Sequence, residues 1–165
     1  MKKYLFILGM VALGLSSCTK SETPPPFDPV AQAKIDDAAI QTYLAAHSDI
    51  TATKDSSGLY YQVITEGTGS VITNASTVKV SYVGTSLQGA QFDANENYTT
   101  ALSASTNIIT GWKIGVPKIK GGGKILLIIP SALAYGPFGN GPIAPNSVII
   151  FTITVKDVTP VIPAI

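Results

Sequence analysis

The chain has 165 residues, 45% of them hydrophobic, and 11 lysines with no arginine against 10 acidic residues, for a formal net charge of +1 at pH 7. That length allows one domain with a real core and is short for two. A near-neutral chain without arginine excludes a nucleic-acid binder carrying a basic stripe, and also a phosphate clamp built on bidentate guanidinium forks.

Lys2 and Lys3 form a basic start, followed by an apolar run from Tyr4 to Leu15 that is too short to span a bilayer. Small residues Ser16 and Ser17 then lead into Cys18, the only cysteine. This is the pattern of a secretory signal peptide over residues 1–18. Its ending resembles the bacterial lipobox, in which cleavage precedes the cysteine and the thiol receives diacylglycerol. Cys18 is therefore the expected lipidation site. Acyl chains there would hold the protein on a membrane outside the cytoplasm, since anchoring strengthens with each buried methylene. A lone cysteine also excludes an intrachain disulfide and a thiolate metal cluster.

Residues 19–29 are polar and proline-rich, with Pro24, Pro25, Pro26 and Pro29, and read as an extended tether. Residues 30–54 read as an N-terminal helix and its connection. Asp28 is a good N-cap with Pro29 at the first helical position, and the helix should reach Ala46 or His47. Ile35, Ala39, Ile40, Tyr43 and Leu44 offer an apolar stripe, available for packing on the domain or for forming a dimer. The sequence leaves both open. His47 is the only histidine, so catalytic or metal roles that need several convergent groups are not expected of it.

Residues 55–160 have β texture. Leu59 to Thr65 reads as a strand, and Thr77 to Gly84 alternates as a half-buried strand should. Leu87 to Asp93 reads as a turn with a short returning strand, Asn95 to Thr100 as loop, and Ala101 to Ser103 as a brief extended piece. Trp112, Val116 and Ile119 recur at helical spacing and predict a short amphipathic helix. Lys120 to Gly123 is a glycine turn; it fails the phosphate-loop pattern because Ile125 stands where Ser or Thr would be needed. Ile125 to Ile129 is an apolar strand stopped by Pro130, and Ser131 to Ile143 a long loop. Ser147 to Val155 is apolar at nearly every position, which predicts a central strand covered on both faces. Antiparallel strands joined by short turns, with a helix among them, make an α+β domain.

No nucleophile–base pair, zinc motif or dinucleotide fingerprint is present, and no cofactor or metal is expected. The suggestive order is Val80, Tyr82 and Gly84; then Phe92 and Asp93; then Ile108, Ile109, Gly111 and Trp112; then Ile129 through Tyr135 and Gly136; then Ile143 through Phe151. In that order and spacing the chain resembles the FKBP-type peptidyl-prolyl cis-trans isomerases from roughly Leu59 to Val158. The resemblance implies a strongly twisted antiparallel sheet, a half-barrel, wrapped around one short α-helix. It implies a proline pocket with Trp112 as floor, Tyr82, Phe92 and Phe151 as walls, and Ile108 and Ile109 at the rim. The Ile109 N–H and the Tyr135 hydroxyl would bond substrate carbonyls, Asp93 would stand beside Tyr82, and Ile143 would close the loop side.

These residue types suit the reaction. Rotating an X-Pro bond crosses a resonance barrier of about 18–20 kcal/mol without making a covalent bond, so no nucleophile is required. Proline-containing unfolded or partly folded polypeptides would be the substrates. The chain departs from the family pattern at Thr99 to Ser103, where aromatic residues are common. There Leu102 is expected to supply part of the wall and leave a wider, less aromatic pocket. In the loop Gly136 to Pro142, Phe138 is expected to compensate. The alternative reading is a non-catalytic FKBP-like chaperone or peptide-binding lipoprotein.

Overall fold

The structure is a computed structural model that describes residues 27–159. The signal peptide over residues 1–18, lipidation at Cys18 and the prolines Pro24 to Pro26 lie outside the described residues. Helix α1 (Pro29–Ala46) is followed by strands β1 (Thr53–Lys54), β2 (Tyr60–Thr65), β3 (Thr77–Ser86) and β4 (Gln91–Ala101). Then come helix α2 (Thr110–Gly115) and strands β5 (Lys124–Ile129) and β6 (Ile149–Thr159). The six strands form one open sheet in the order β1-β2-β5-β6-β3-β4. Every pairing is antiparallel. Register shifts interrupt the β2–β5, β3–β4 and β3–β6 ladders. Such bulges raise local twist, which lets an open sheet curl round a helix.

The longest apolar strand is central, as its sequence predicts, and its side chains divide by parity. Ile149, Phe151, Ile153 and Val155 of β6, with Ile125, Leu127 and Ile129 of β5, face one core that also holds Trp112, Val116 and Ile119. Ile150 of β6 and Ile128 of β5 face the other way, into a second core with Tyr60, Val148 and Ile40 of α1. Continuous apolar sequence thus reflects a strand with a helix on each face.

Two glycines bring α2 close to β5. A Cβ on Gly111 would stand 2.5 Å from Ile129 Cγ2, and one on Gly115 would stand 2.5 Å from Leu127 Cδ2. The helix therefore lies with backbone against strand side chains. It ends earlier than the apolar spacing predicts: residues Val116–Lys118 form a 3-10 turn and Ile119 is extended. Pro117 explains this, since it has no N–H to continue the ladder and its ring crowds the preceding turn. Trp112, Val116 and Ile119 are nevertheless all buried.

The first helix has the expected bounds. Asp28 accepts from the N–H groups of Val30 and Ala31, and His47 is the C-cap. The helix packs on its own sheet through Ile40, Tyr43 and Leu44. Ile35, expected on the stripe, points outward at 61% exposed, and Asp36 turns inward instead. The His47 ring stacks on Tyr43 at 3.9 Å between centroids, a packing role.

Two further expectations change. Residues Asn95 to Thr100 are not loop: β4 runs through them, with Asn95 opposite Tyr82 and Tyr98 opposite Val80. Asparagine-rich sequence is poor in intrinsic strand preference, but pairing to β3 decides at this sheet edge. The loop after β5 contains two 3-10 turns, Ser131–Leu133 and Gly136–Phe138. No helix among the described residues is long and apolar enough to cross a membrane.

Candidate functional site

On the α2 side the sheet is not fully covered, and a cleft of about 220 Å³ opens there. Its base is Trp112, which is 2% exposed and entered by α2. Around the indole stand Tyr82 of β3 with ring centroids at 5.1 Å, Phe151 of β6 at 5.3 Å and Tyr98 of β4 at 6.3 Å. All three meet it edge-to-face, at 82° to 86° between planes. That arrangement satisfies the ring quadrupoles and leaves the ring faces to define the hollow. The Trp112 Nε1 donor is buried with no hydrogen-bond partner among the described residues.

Polar groups gather on the margin. The Tyr82 hydroxyl donates to Asp93 Oδ2 at 2.8 Å, linking β3 to β4 across the ladder. Burial first, and then that hydrogen bond, hold the Tyr82 hydroxyl well above the usual phenol range. It is therefore a fixed neutral donor to Asp93. Tyr135, carried by the segment between the two 3-10 turns, lines the cleft together with Ile108 and Ile109. Ile109 is the N-cap of α2, with extended backbone (φ −61°, ψ 147°). Its carbonyl accepts from Trp112 N at 3.1 Å, while its own N–H finds no acceptor among the described residues. Lys113 of α2 pins the preceding loop, donating to the carbonyls of Thr106 at 2.8 Å and Ala104 at 3.3 Å.

The sequence-predicted residues separate into groups. Tyr82, Asp93, Ile108, Ile109, Trp112, Tyr135 and Phe151 converge on the cleft. Phe92 stands behind it, packed against Phe151 at 5.5 Å between centroids. Leu102 is fully buried in the main core, and Ile143 is 8% exposed in the same core, so neither borders the cleft. Phe138 is 90% exposed at the surface and does not reach it. The wall assigned to Leu102 is supplied by Tyr98, because β4 continues through residues taken as loop. Thr100, Thr106 and Asn107 also line the cleft. The available signal was Tyr98 itself, the one aromatic in the polar run Asn95 to Thr100.

No group of His, Cys, Asp and Glu among the described residues could hold a metal ion. The site offers an aromatic cup with the Ile109 N–H, the Tyr135 side chain and a carboxylate oriented by Tyr82 among its lining groups. Such a set can grip a small apolar ring and orient the amides beside it without covalent chemistry.

Known proteins resemble this chain in sequence and in fold. FkpA of Escherichia coli K12, named as an FKBP-type peptidyl-prolyl cis-trans isomerase, is 42% identical over 106 residues, 64% of this chain and 39% of that protein. A probable FKBP-type isomerase of Haemophilus influenzae is 36% identical over 131 residues, 78% of this chain and 54% of that protein. The chain thus spans about two fifths to one half of the length of these curated relatives. The crystal structure of E. coli FkpA superposes with a TM-score of 0.68 at 35% identity, covering 79% of this chain and 62% of that one. A peptidyl-prolyl isomerase structure from Pseudomonas syringae pv. tomato gives 0.65 at 27% identity, covering 82% and 98%. The profile of the FKBP-type peptidyl-prolyl cis-trans isomerases matches residues 69–156, more than half of the sequence and every element that builds the cleft, and the chain belongs to that family.

Proposed function

We propose that the protein is a prolyl isomerase that accelerates rotation of X-Pro bonds in exported polypeptides, acting in the bacterial cell envelope from a lipid anchor on Cys18. The observation that carries the activity is the cleft: an indole floor with three aromatic walls, lined also by Asp93, Ile109 and Tyr135. The proline ring sits on Trp112 between Tyr82, Tyr98 and Phe151. The Ile109 N–H and the Tyr135 hydroxyl hold substrate carbonyls on either side of the prolyl amide.

The planar amide is stabilised by resonance, with a barrier of about 18–20 kcal/mol to rotation. A twisted amide has lost that resonance and is less dipolar, so a dry aromatic cup disfavours it less than it disfavours the planar forms. Donors placed for the twisted geometry add differential binding, which lowers the barrier. Asp93, oriented by Tyr82, faces the rotating bond from the rim.

A cell-envelope setting is supported by the signal-peptide pattern that ends at Cys18 and by one relative, 37% identical over 99 residues, that is named an outer membrane protein in Legionella longbeachae. In this organisation residues 1–17 are removed, Cys18 carries the lipid and residues 19–29 tether the domain. Residues 30–54 supply α1 and its connection, and residues 55–160 form the catalytic domain.

Exchange NMR on a Leu-Pro peptide with the Thr19–Ile165 chain, beside an Asp93→Ala variant that keeps its fold, tests the activity. Accelerated exchange that falls in the variant is expected. A well-folded wild type that accelerates nothing, whichever residue precedes proline, would leave a peptide-binding module.

A further inference from the structure

Among the described residues, Asp36 is the one buried carboxylate. It is 2% exposed on the inward face of α1, at a place where an apolar residue would pack. Its Oδ2 accepts from both the N–H of Ser131 at 2.8 Å and the Ser131 hydroxyl at 2.7 Å. Its Oδ1 accepts from Gln32 Nε2 at 2.7 Å, which fixes the carboxylate plane. Ser131 is itself 1% exposed. A buried carboxylate is costly unless hydrogen bonds satisfy it, and each bond here goes to a defined donor.

Docking α1 does not require this tie. The helix already seats Ile40 in the second core, and Tyr60 donates to Asp37 at 2.7 Å and accepts from Gln41 at 2.8 Å. What distinguishes the Asp36 bonds is their target. Ser131 opens the 3-10 turn that leads into Tyr135. That turn is closed by Leu133 N to the Pro130 carbonyl at 2.9 Å and Ala134 N to the Ser131 carbonyl at 3.0 Å. Beyond Tyr135, Asn146 N donates to the Gly136 carbonyl at 2.8 Å. The segment bearing Tyr135 is therefore fixed by Asn146 on the far side and by Asp36 on the near side. Asp36 lies outside residues 69–156, so α1 contributes it from beyond the family-matched domain.

We infer that Asp36 is a positioning residue for Tyr135: it sets the start of the turn, and so the place of the Tyr135 hydroxyl on the cleft margin. The inference rests on the isomerase reading. A donor misplaced by about 1 Å can cost on the order of a hundredfold in rate, so a partial loosening of this turn should be visible in turnover.

The test measures kcat and KM for a Leu-Pro peptide by exchange NMR, using the full chain in detergent. Asp36→Ala should lower kcat/KM by roughly tenfold, and Asp36→Asn, which keeps an oxygen for Ser131, should restore most of it. Ser131→Ala, which keeps the N–H bond and the fold, should give a smaller loss in the same parameter. Tyr60→Phe, which removes the hydrogen bonds of Tyr60 to Asp37 and Gln41 on α1, should leave kcat/KM within about twofold. The deciding readout is the Tyr135→Phe background, where Asp36→Ala should cost no more than about twofold, because both changes act on one hydroxyl. Additive losses in that double variant, an Asn variant no better than Ala, or folded Asp36→Ala and Ser131→Ala proteins with unchanged kcat/KM would each overturn the inference. An inactive wild type would instead remove the isomerase reading beneath it, and the inference with it.

Discussion

The two faces of the central strands are built from the same kind of residue and end differently. On the face toward α1, Ile128 and Ile150 are sealed by Ile40, Tyr43 and Leu44, and the Tyr60 hydroxyl closes the edge by donating to Asp37 and accepting from Gln41. On the face toward α2, the helix is only six residues long and covers part of the sheet. Tyr82, Tyr98, Ile108, Ile109 and Tyr135 there remain partly exposed around a buried Trp112. The difference locates the chemistry. A long helix completes a core, whereas a short one leaves aromatic side chains half-used, and those side chains can hold a substrate ring.

Adjacent residues of β6 should separate the two faces most strongly. Phe151→Ala should cost about 3–5 kcal/mol and also abolish catalysis in the folded fraction. Ile150→Ala should cost about 2–5 kcal/mol and leave the folded fraction active. Urea unfolding with peptide exchange NMR measures both, and equal loss of activity in the two variants would erase the distinction between the faces. Gly115→Ala is the next test, since Ala is the better helix former and would stabilise an unpacked helix. Here its Cβ meets Leu127 at 2.5 Å, so the variant should lose about 1–3 kcal/mol by overpacking. A stabilised variant would mean that α2 can back away from β5.

Much of this was legible because periodicity reports burial. Alternation from Thr77 to Gly84 and the unbroken apolar run of β6 mark a half-buried and a doubly covered strand, and both are found. The aromatic positions were placed by their motifs rather than by period. What the sequence concealed depended on partners distant in the chain. Asn95 to Thr100 is strand because β3 pairs with it: Asn95, Glu96 and Asn97 disfavour extension, and only Tyr98, Thr99 and Thr100 suit a strand on their own. Tyr98 consequently entered the cleft unannounced, and Leu102, expected there, fell one layer deeper. Asp36 reads as one more surface charge on α1 until the fold brings Ser131 to it.

On the open face, the Tyr82–Asp93 bond offers a smaller and more local test. Tyr82→Phe keeps the ring against Trp112 and removes only the donor, so stability should fall by about 1 kcal/mol. Turnover should fall several-fold because Asp93 loses its orientation. The pH dependence has a definite sign. Burial and Asp93 raise the folded hydroxyl above its unfolded value of about 10, so the neutral form is the one the fold favours. Its stabilising contribution is complete below about pH 10 and is lost only as pH rises through the folded value. Activity should therefore show no basic limb from Tyr82 below about pH 10. An alkaline limb at lower pH that Tyr82→Phe abolishes would mean the hydroxyl ionises in the working site.

The sealed face gives the smallest effect and the opposite sign. Asp37 on α1 pairs with Lys54 of β1 and accepts from the Tyr60 hydroxyl. The hydrogen bond from Lys54 first, then that from Tyr60, hold its carboxyl below the usual range. A lowered folded value means the charged form is favoured, so the contribution is present above the unfolded pKa of about 3.9 and fades as pH falls toward the folded one. Solvent reaches both partners of the ion pair, with side-chain exposures of 46% and 38%, and screening keeps the gain small. Asp37→Asn should accordingly shift the thermal midpoint slightly near neutral pH, and the shift should fade as the pH falls below the unfolded carboxylate value of about 3.9. Catalysis should not change at either pH, because this edge is separated from the cleft by the whole thickness of the sheet. A variant that altered turnover while leaving the midpoint fixed would couple the sealed face to the open one through a route other than Asp36 and Ser131.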